Sequence, residues 1–271
     1  MSDAVEHLKA GNLDEAYSAL TASIRKNPAD SKLRVFLFQM LCIRGEWDRA
    51  LTQLKVCGEM APDTMSMVQS YREAIACEMV REKVFAGETA PLVFGEPAQW
   101  VALMIQALGP MAKGDTAQAA ALRDEAFAAA PSQSGDADGK PFDWIADADM
   151  RLGPILELIM NGRYFWAPFS NIKRMTFDEP SDLRDKVWTP VEITWANGGD
   201  VVGFIPTRYP GSAQSGRSGI MMAQETDWVD AGAETFLGLG QRLFATNDDD
   251  LALMDLRSIS LSPAGASDGA R

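Results

Sequence analysis

Asp143, Asp147 and Asp149 place three carboxylates in the short segment 142–154, which also carries Trp144 and Arg151. Spaced carboxylates can hold a divalent cation, because hard cations take oxygen ligands. This spacing lacks the glycine-bounded loop and distal glutamate of a calcium hand. Helix capping and ion pairing, for instance with Arg151, are the plainer reading. A metal-dependent hydrolase built on the three aspartates is the remote one.

Other catalytic parts are scarce. His7 is the only histidine, so neither a histidine-bearing metal site nor a Ser–His–Asp triad has company. Cys42, Cys57 and Cys77 are odd in number and fall in expected helices, which fits reduced core thiols better than a disulfide framework. Gly238-Leu239-Gly240-Gln241-Arg242 looks like a phosphate loop but lacks a third glycine, a Lys-Ser/Thr pair and a helix after it. Asp248-Asp249-Asp250 reads as a solvated hairpin turn. The expectation is a protein that is not an enzyme and that uses no cofactor and no metal.

Aromatic residues are a better lead. Trp144, Tyr164, Phe165, Trp166, Phe169, Trp188 and Trp195 gather in one stretch of the chain. Tyr164, Phe165 and Trp166 are consecutive, and a strand sends neighbours to opposite faces, so Phe165 cannot share a side with both. One side is then exposed or covered by a partner.

What positions these residues begins with a repeat. Gly11/Ala16/Ser23/Pro28, Gly45/Ala50/Cys57/Pro62 and Gly114/Ala119/Ala126/Pro131 share one internal spacing. The first two sets lie one tetratricopeptide period apart, the mark of a stacked helix–turn–helix unit. Glycine supplies the positive φ of the turn, small residues let helices approach, and proline stops the second helix. Partner helices are expected over 31–44 and 98–113, with one long helix over 64–85.

The segment 132–141 is Gly-, Ser-, Asp- and Pro-rich and reads as a flexible linker. That gives a helical-repeat domain over 1–131 and an α+β domain over 142–261, with a tail at 262–271. One or two short helices are expected within 142–160. Strands are expected at 163–169, Ile172–Phe177, Trp188–Trp195, 201–205, 226–229, 241–246 and 253–261, with a turn at Asn197-Gly198-Gly199-Asp200. The segment 209–219 reads as a mobile loop. The fold class is α+β: TPR-like helical repeats, then a smaller, mainly antiparallel β domain with a curved sheet and short helices.

The chain has 271 residues and a net charge of −13. Its basic residues are scattered, so a nucleic-acid partner is not expected. Met1 to Lys9 lacks the charge and apolar run of a signal peptide, and no apolar stretch is long enough to span a bilayer. A cytoplasmic protein with no membrane contact is expected.

Four blocks of the second half carry a resemblance: 142–154, 161–168 (Asn-Gly-Arg-Tyr-Phe-Trp-Ala-Pro), 183–190 (Leu-Arg-Asp-Lys-Val-Trp-Thr-Pro) and 203–211 (Gly-Phe-Ile-Pro-Thr-Arg-Tyr-Pro-Gly). With 238–246 and Gly95-Glu96-Pro97 they resemble, in order, the ImpE/TagJ family of type VI secretion accessory proteins. The resemblance implies a non-catalytic cytoplasmic adaptor that binds the N-terminal amphipathic helix of the small contractile-sheath subunit. It implies a part in sheath handling or recycling near the sheath-disassembly ATPase, with direct contact to that ATPase left open. The expected partner-binding residues are Trp144, Asp147, Asp149, Arg151, Phe165, Trp166 and Trp188. The alternative groove is the repeat face around Phe36, Gln39 and Met40. A general TPR-type chaperone or assembly scaffold is the rival reading.

Overall fold

The structure, a computed structural model, describes residues 2–60, 65–96 and 98–262. Helices α1 (Ser2–Lys9) and α2 (Leu13–Lys26) form a hairpin, as do α3 (Ser31–Ile43) and α4 (Trp47–Met60). The long α5 (Met65–Phe85) follows, then the short β1 (Leu92–Val93) and a third hairpin of α6 (Gln99–Ala112) and α7 (Thr116–Ala129).

Each hairpin turns at the glycine the repeat identifies. Gly11, Gly45 and Gly114 have φ of 79°, 67° and 79°. In each, the glycine N–H bonds the carbonyl three residues back and the next N–H bonds the carbonyl five back, as in Gly45 to Cys42 and Glu46 to Leu41. These bonds satisfy carbonyls that a helix end otherwise leaves open. Ala16, Ala50, Cys57, Ala119 and Ala126 are buried at the expected small positions. Pro28 and Pro131 follow α2 and α7; Pro62 and Pro97 lie outside the described residues.

The second half supplies β2 (Gly135–Ala137), β3 (Lys140–Phe142), β4 (Ile145–Asp147), β5 (Ile155–Met160), β6 (Arg163–Pro168) and β7 (Ile172–Phe177). Then come β8 (Trp188–Trp195), β9 (Asp200–Pro206), a one-turn α8 (Ser218–Met221), β10 (Thr226–Asp230) and β11 (Phe236–Gly240). β12 (Leu243–Thr246), β13 (Asp250–Ala252) and β14 (Ser258–Leu261) complete it. Nine strands form one sheet in the order β1-β6-β5-β9-β8-β7-β14-β2-β3, antiparallel except for β1 on β6. β13-β12-β4 form a second sheet and β10-β11 a separate hairpin.

The α+β reading therefore holds, with three local corrections. The expected helices within 142–160 are strands. β5 is buried along its whole length, so it shows no alternation, and an apolar run without alternation does not separate strand from helix. The expected linker at 132–141 is largely a hairpin, β2–β3, paired to β14. The expected mobile loop at 209–219 is pinned: Tyr209 and Ser212 are buried, and the Ser212 hydroxyl accepts from the Gly240 N–H at 2.8 Å. Of the expected tail, only Ser262 falls among the described residues.

Side chains of the large sheet alternate between two cores. Ile155, Ile159, Tyr164, Trp166 and Trp188 pack with the helices, while Leu156, Leu158, Ala167, Val191 and Ile193 pack with Phe244 and Leu253 on the other side. Helices thus cover one face and the β13-β12-β4 sheet covers part of the other.

Candidate functional site

The expected site residues converge, but in the interior. Glu157 on β5 is fully buried where α5 crosses the sheet. It accepts two bonds from Arg81 of α5 (2.6 and 2.9 Å), one from Arg242 and one from the Tyr164 hydroxyl. Arg242 also bonds Asp147, and its Nε donates to the Pro206 carbonyl at 2.9 Å. Trp166 donates to the Tyr164 oxygen at 2.8 Å, and Trp188 donates to Glu78 of α5 at 3.1 Å. Asp149 takes two bonds from the Arg151 side chain (2.9 and 2.5 Å), one from the Arg151 backbone N–H at 2.9 Å and one from the Gly238 N–H at 2.9 Å.

Burial alone would raise the Glu157 carboxyl, yet Arg81 and Arg242 together hold it down at about 2. Burial pushes Asp147 up to about 7, with Arg242 opposing and Asp149 adding to the rise. Among the described residues no carboxylate bonds Arg208. Its donors end on the carbonyls of Ile43, Met221 and Cys42, tying α3 to the sheet half, and burial lowers it to about 10. A buried charge network of this kind is costly to break once formed. It is a junction between the two halves.

Five of the seven expected contact residues belong to it. Trp166, Trp188 and Asp149 are each 0% exposed and Asp147 3%, and Arg151 is held by Asp149. Of these only Arg151 is partly exposed, where it lines the smaller of the two clefts beside α5; the other four offer no surface. Trp166 and Tyr164 do share a side, as alternation requires, but the covering element is this chain's own α5, with Phe85 packed 6.0 Å from the Trp166 ring. Phe165 is half-buried on the other side, and Trp144 is exposed. The three aspartates do not form one site: Asp143 is exposed, and Asp147 and Asp149 face different arginines. Among the described residues no three His, Cys, Asp or Glu gather as a metal-holding group.

Nor is the alternative groove open around its expected centre. Phe36 and Met40 are buried, and Gln39 donates to Asp182 of the sheet half at 3.0 Å. Arg184 sits 4.6 Å over the Tyr71 ring of α5. The segment before β8 thus lies in the face that stacked repeats usually present to a partner. The 238–240 glycines also find a structural reason: a Cβ at Gly238 would strike the Tyr209 ring, and one at Gly240 the Glu225 backbone.

The described residues line two clefts beside α5. One, of about 360 Å³, is walled by Trp47, Glu82, Phe85 and the 208–214 segment, with Arg81 and Arg208 at its base. Its guanidinium groups are already committed to the junction. The other, of about 470 Å³, opens between the N-terminal half of α5 and the sheet. Ser70 and Glu73 form its helical wall. Its floor is two rows across the strands, Pro190–Phe204–Ile159 and Thr176–Glu192–Val202. Sequence reasoning missed this cleft, because no single segment of the chain contains it.

Residues 139–260 match the family described as ImpE protein, a span from the β2–β3 turn to β14. The chain is 47% identical over 263 residues to the type VI secretion system accessory component TagJ of Pseudomonas aeruginosa, covering 97% of this chain and 92% of that one. The chain belongs to the ImpE/TagJ family. Among solved structures, the crystal structure of protein VPA1032 from Vibrio parahaemolyticus matches with a TM-score of 0.88 at 26% identity, over 96% of this chain and 97% of that one. The ImpE/TagJ relationship therefore spans both halves, the helical layer included. Among the described residues no helix is long and apolar enough to cross a membrane.

Proposed function

We propose that this ImpE/TagJ protein is a non-catalytic cytoplasmic adaptor of type VI secretion. It binds the N-terminal amphipathic helix of the small contractile-sheath subunit and assists sheath handling or recycling. The sheath-disassembly ATPase is the next candidate contact. The observation that carries the reading is the near-complete, 47% identical relationship to a type VI accessory component. A cleft beside a helical layer, with Ile159, Phe204 and Val202 in its floor, supports it, since helix-in-groove docking is a common recognition mode. The covering of the α3 face by the chain's own 182–188 segment disfavours a general repeat-type scaffold.

A fluorescein-labelled peptide copying the sheath subunit's N-terminal helix tests the reading by anisotropy. Binding by the intact protein at micromolar Kd or tighter, roughly 8 kcal/mol, is the expected result. Absence of binding to folded protein overturns it.

A further inference from the structure

We propose that the smaller cleft beside α5 binds a small organic acid, whose carboxylate is gripped by Arg208 and whose apolar or aromatic body lies against Trp47 and Phe85. The proposal stands apart from the adaptor reading, since it concerns another surface and a small molecule in place of a partner chain.

Arg81, Arg151 and Arg208 all line this cleft. Their commitment to the junction fixes all three in place but does not give each a carboxylate. Arg81 grips Glu157 side-on, with Nε and Nη2 at 2.6 and 2.9 Å from its two oxygens. Arg151 takes Asp149 by the same edge (2.9 and 2.5 Å), and Arg184, outside the cleft, takes Asp182 so (2.8 and 2.7 Å). This pairing fits the planar guanidinium fork to both oxygens of a carboxylate. In Arg208 the same edge is open. Its Nη1 donates to the carbonyls of Ile43 and Met221, its Nη2 makes a long 3.3 Å bond to that of Cys42, and its Nε bonds nothing among the described residues.

Arg208 is only 5% exposed, and a buried charge is ordinarily paired. Burial lowers it no further than about 10, so it keeps its charge at neutral pH. Among the described residues the one sealed side-chain nitrogen or oxygen without a hydrogen-bond partner is Gln133 Oε1. The unbonded Nε of Arg208 is therefore not sealed, and it opens on the cleft that Arg208 lines.

The walls suit the rest of the ligand. Trp47 and Phe85 are half-buried. The Trp47 indole donates to Glu82 at 2.8 Å and lies 6.0 Å from Trp188, while Arg151 sits 4.9 Å over the Phe85 ring. A volume of about 360 Å³ is at the small end of the range of about 300–1,000 Å³ usual for ligand clefts. Glu78 and Glu82 also line the cleft. Glu78 accepts from Arg81 and Trp188, and Glu82 is exposed at the rim. Both oppose a dianion more strongly than a monoanion, and one open guanidinium edge holds one carboxylate.

Isothermal titration of the intact protein with phenylacetate, phenylacetamide and inorganic phosphate tests the proposal. Phenylacetate should bind with a Kd of about 1 mM or tighter. The amide keeps the ring and loses the charge; it and phosphate should each bind about tenfold more weakly or worse. Arg208→Gln should weaken phenylacetate by about tenfold or more. Arg208 also ties α3 to the sheet half, so a second variant spares the interior: Glu82→Gln removes an opposing rim charge and should tighten binding about twofold to threefold. With fluorotryptophan incorporated, the Trp47 fluorine resonance, assigned through Trp47→Phe, should shift as phenylacetate saturates the protein.

Absence of phenylacetate binding to folded protein overturns the proposal, as does binding that leaves the Trp47 resonance unmoved. Amide or phosphate binding as tight as that of phenylacetate removes the carboxylate assignment. Equal affinity in folded Arg208→Gln removes the assigned grip. Where Arg208→Gln does not fold, Glu82→Gln decides: unchanged or weaker phenylacetate binding sinks the site.

Discussion

The same sheet face, walled by the same helix, carries two regions of opposite character. Under the C-terminal half of α5, Glu157, Arg81, Arg242 and Asp147 are buried, and both carboxyl groups accept from arginine. Along its N-terminal half, Glu73, Asp178 and Glu192 line a cleft whose floor mixes Ile159, Phe204 and Val202 with Thr176 and Glu192, and water still reaches it. Charge in the first region is spent on holding helices to sheet. Charge in the second lines an open cleft instead. Residue type does not distinguish the two; burial and partner geometry do.

Breaking the junction should have the largest effect. Glu157→Ala leaves two buried guanidinium groups without their shared carboxylate and should cost about 3–5 kcal/mol, read by urea denaturation. A loss below about 1 kcal/mol would show that the network does not join the halves. Trp166→Ala should cost about 3–5 kcal/mol through the cavity it opens. Where the variant remains folded, its peptide affinity should match the wild type, since Trp166 is buried beneath α5. A selective loss of binding would return this tryptophan to the contact surface.

The junction should also show in the pH dependence. In the fold Asp147 holds its proton up to about pH 7, whereas the unfolded chain releases it near the ordinary value of 3.8. Between these values the native state binds more protons, so this group's contribution falls as pH rises and levels off above pH 7. Stability of the wild type relative to Asp147→Asn should therefore decline between about pH 4 and pH 7. A difference independent of pH over that range would contradict the burial of this carboxylate. Glu157 works in the opposite direction: its low value adds stability that is lost only as pH falls from 4.5 toward 2. In the larger cleft, Glu192→Gln should change stability by no more than about 0.5 kcal/mol while reducing affinity for the sheath-helix peptide. A large loss of stability there would erase the contrast between the regions.

The helical half was legible from local rules. Gly11, Gly45 and Gly114 announce turns because no other residue takes positive φ at so little cost. Ala16 and Ala50 announce close helix contacts. Strands with one covered face, such as Trp188–Trp195, were legible through their alternation. β5 was not, because burial on both faces removes the pattern. The larger cleft was obscured for a different reason. Asp147, Asp149, Trp166 and Trp188 stand out in sequence as charged or aromatic clusters, yet their partners Arg242, Gly238 and Glu78 lie far along the chain. Val202, Glu192 and Glu73 look ordinary one by one. Only the register of β7, β8 and β9 against α5 makes them a cleft.

Photocrosslinking tests the central claim most directly. A sheath-helix peptide carrying benzoylphenylalanine on its apolar face is bound to the intact protein, irradiated and mapped by mass spectrometry. The account predicts adducts on the outer part of β8 and β9, around Glu192 and Val202, and on the N-terminal half of α5. Adducts confined to α1–α4 or to the β10–β11 hairpin would contradict it.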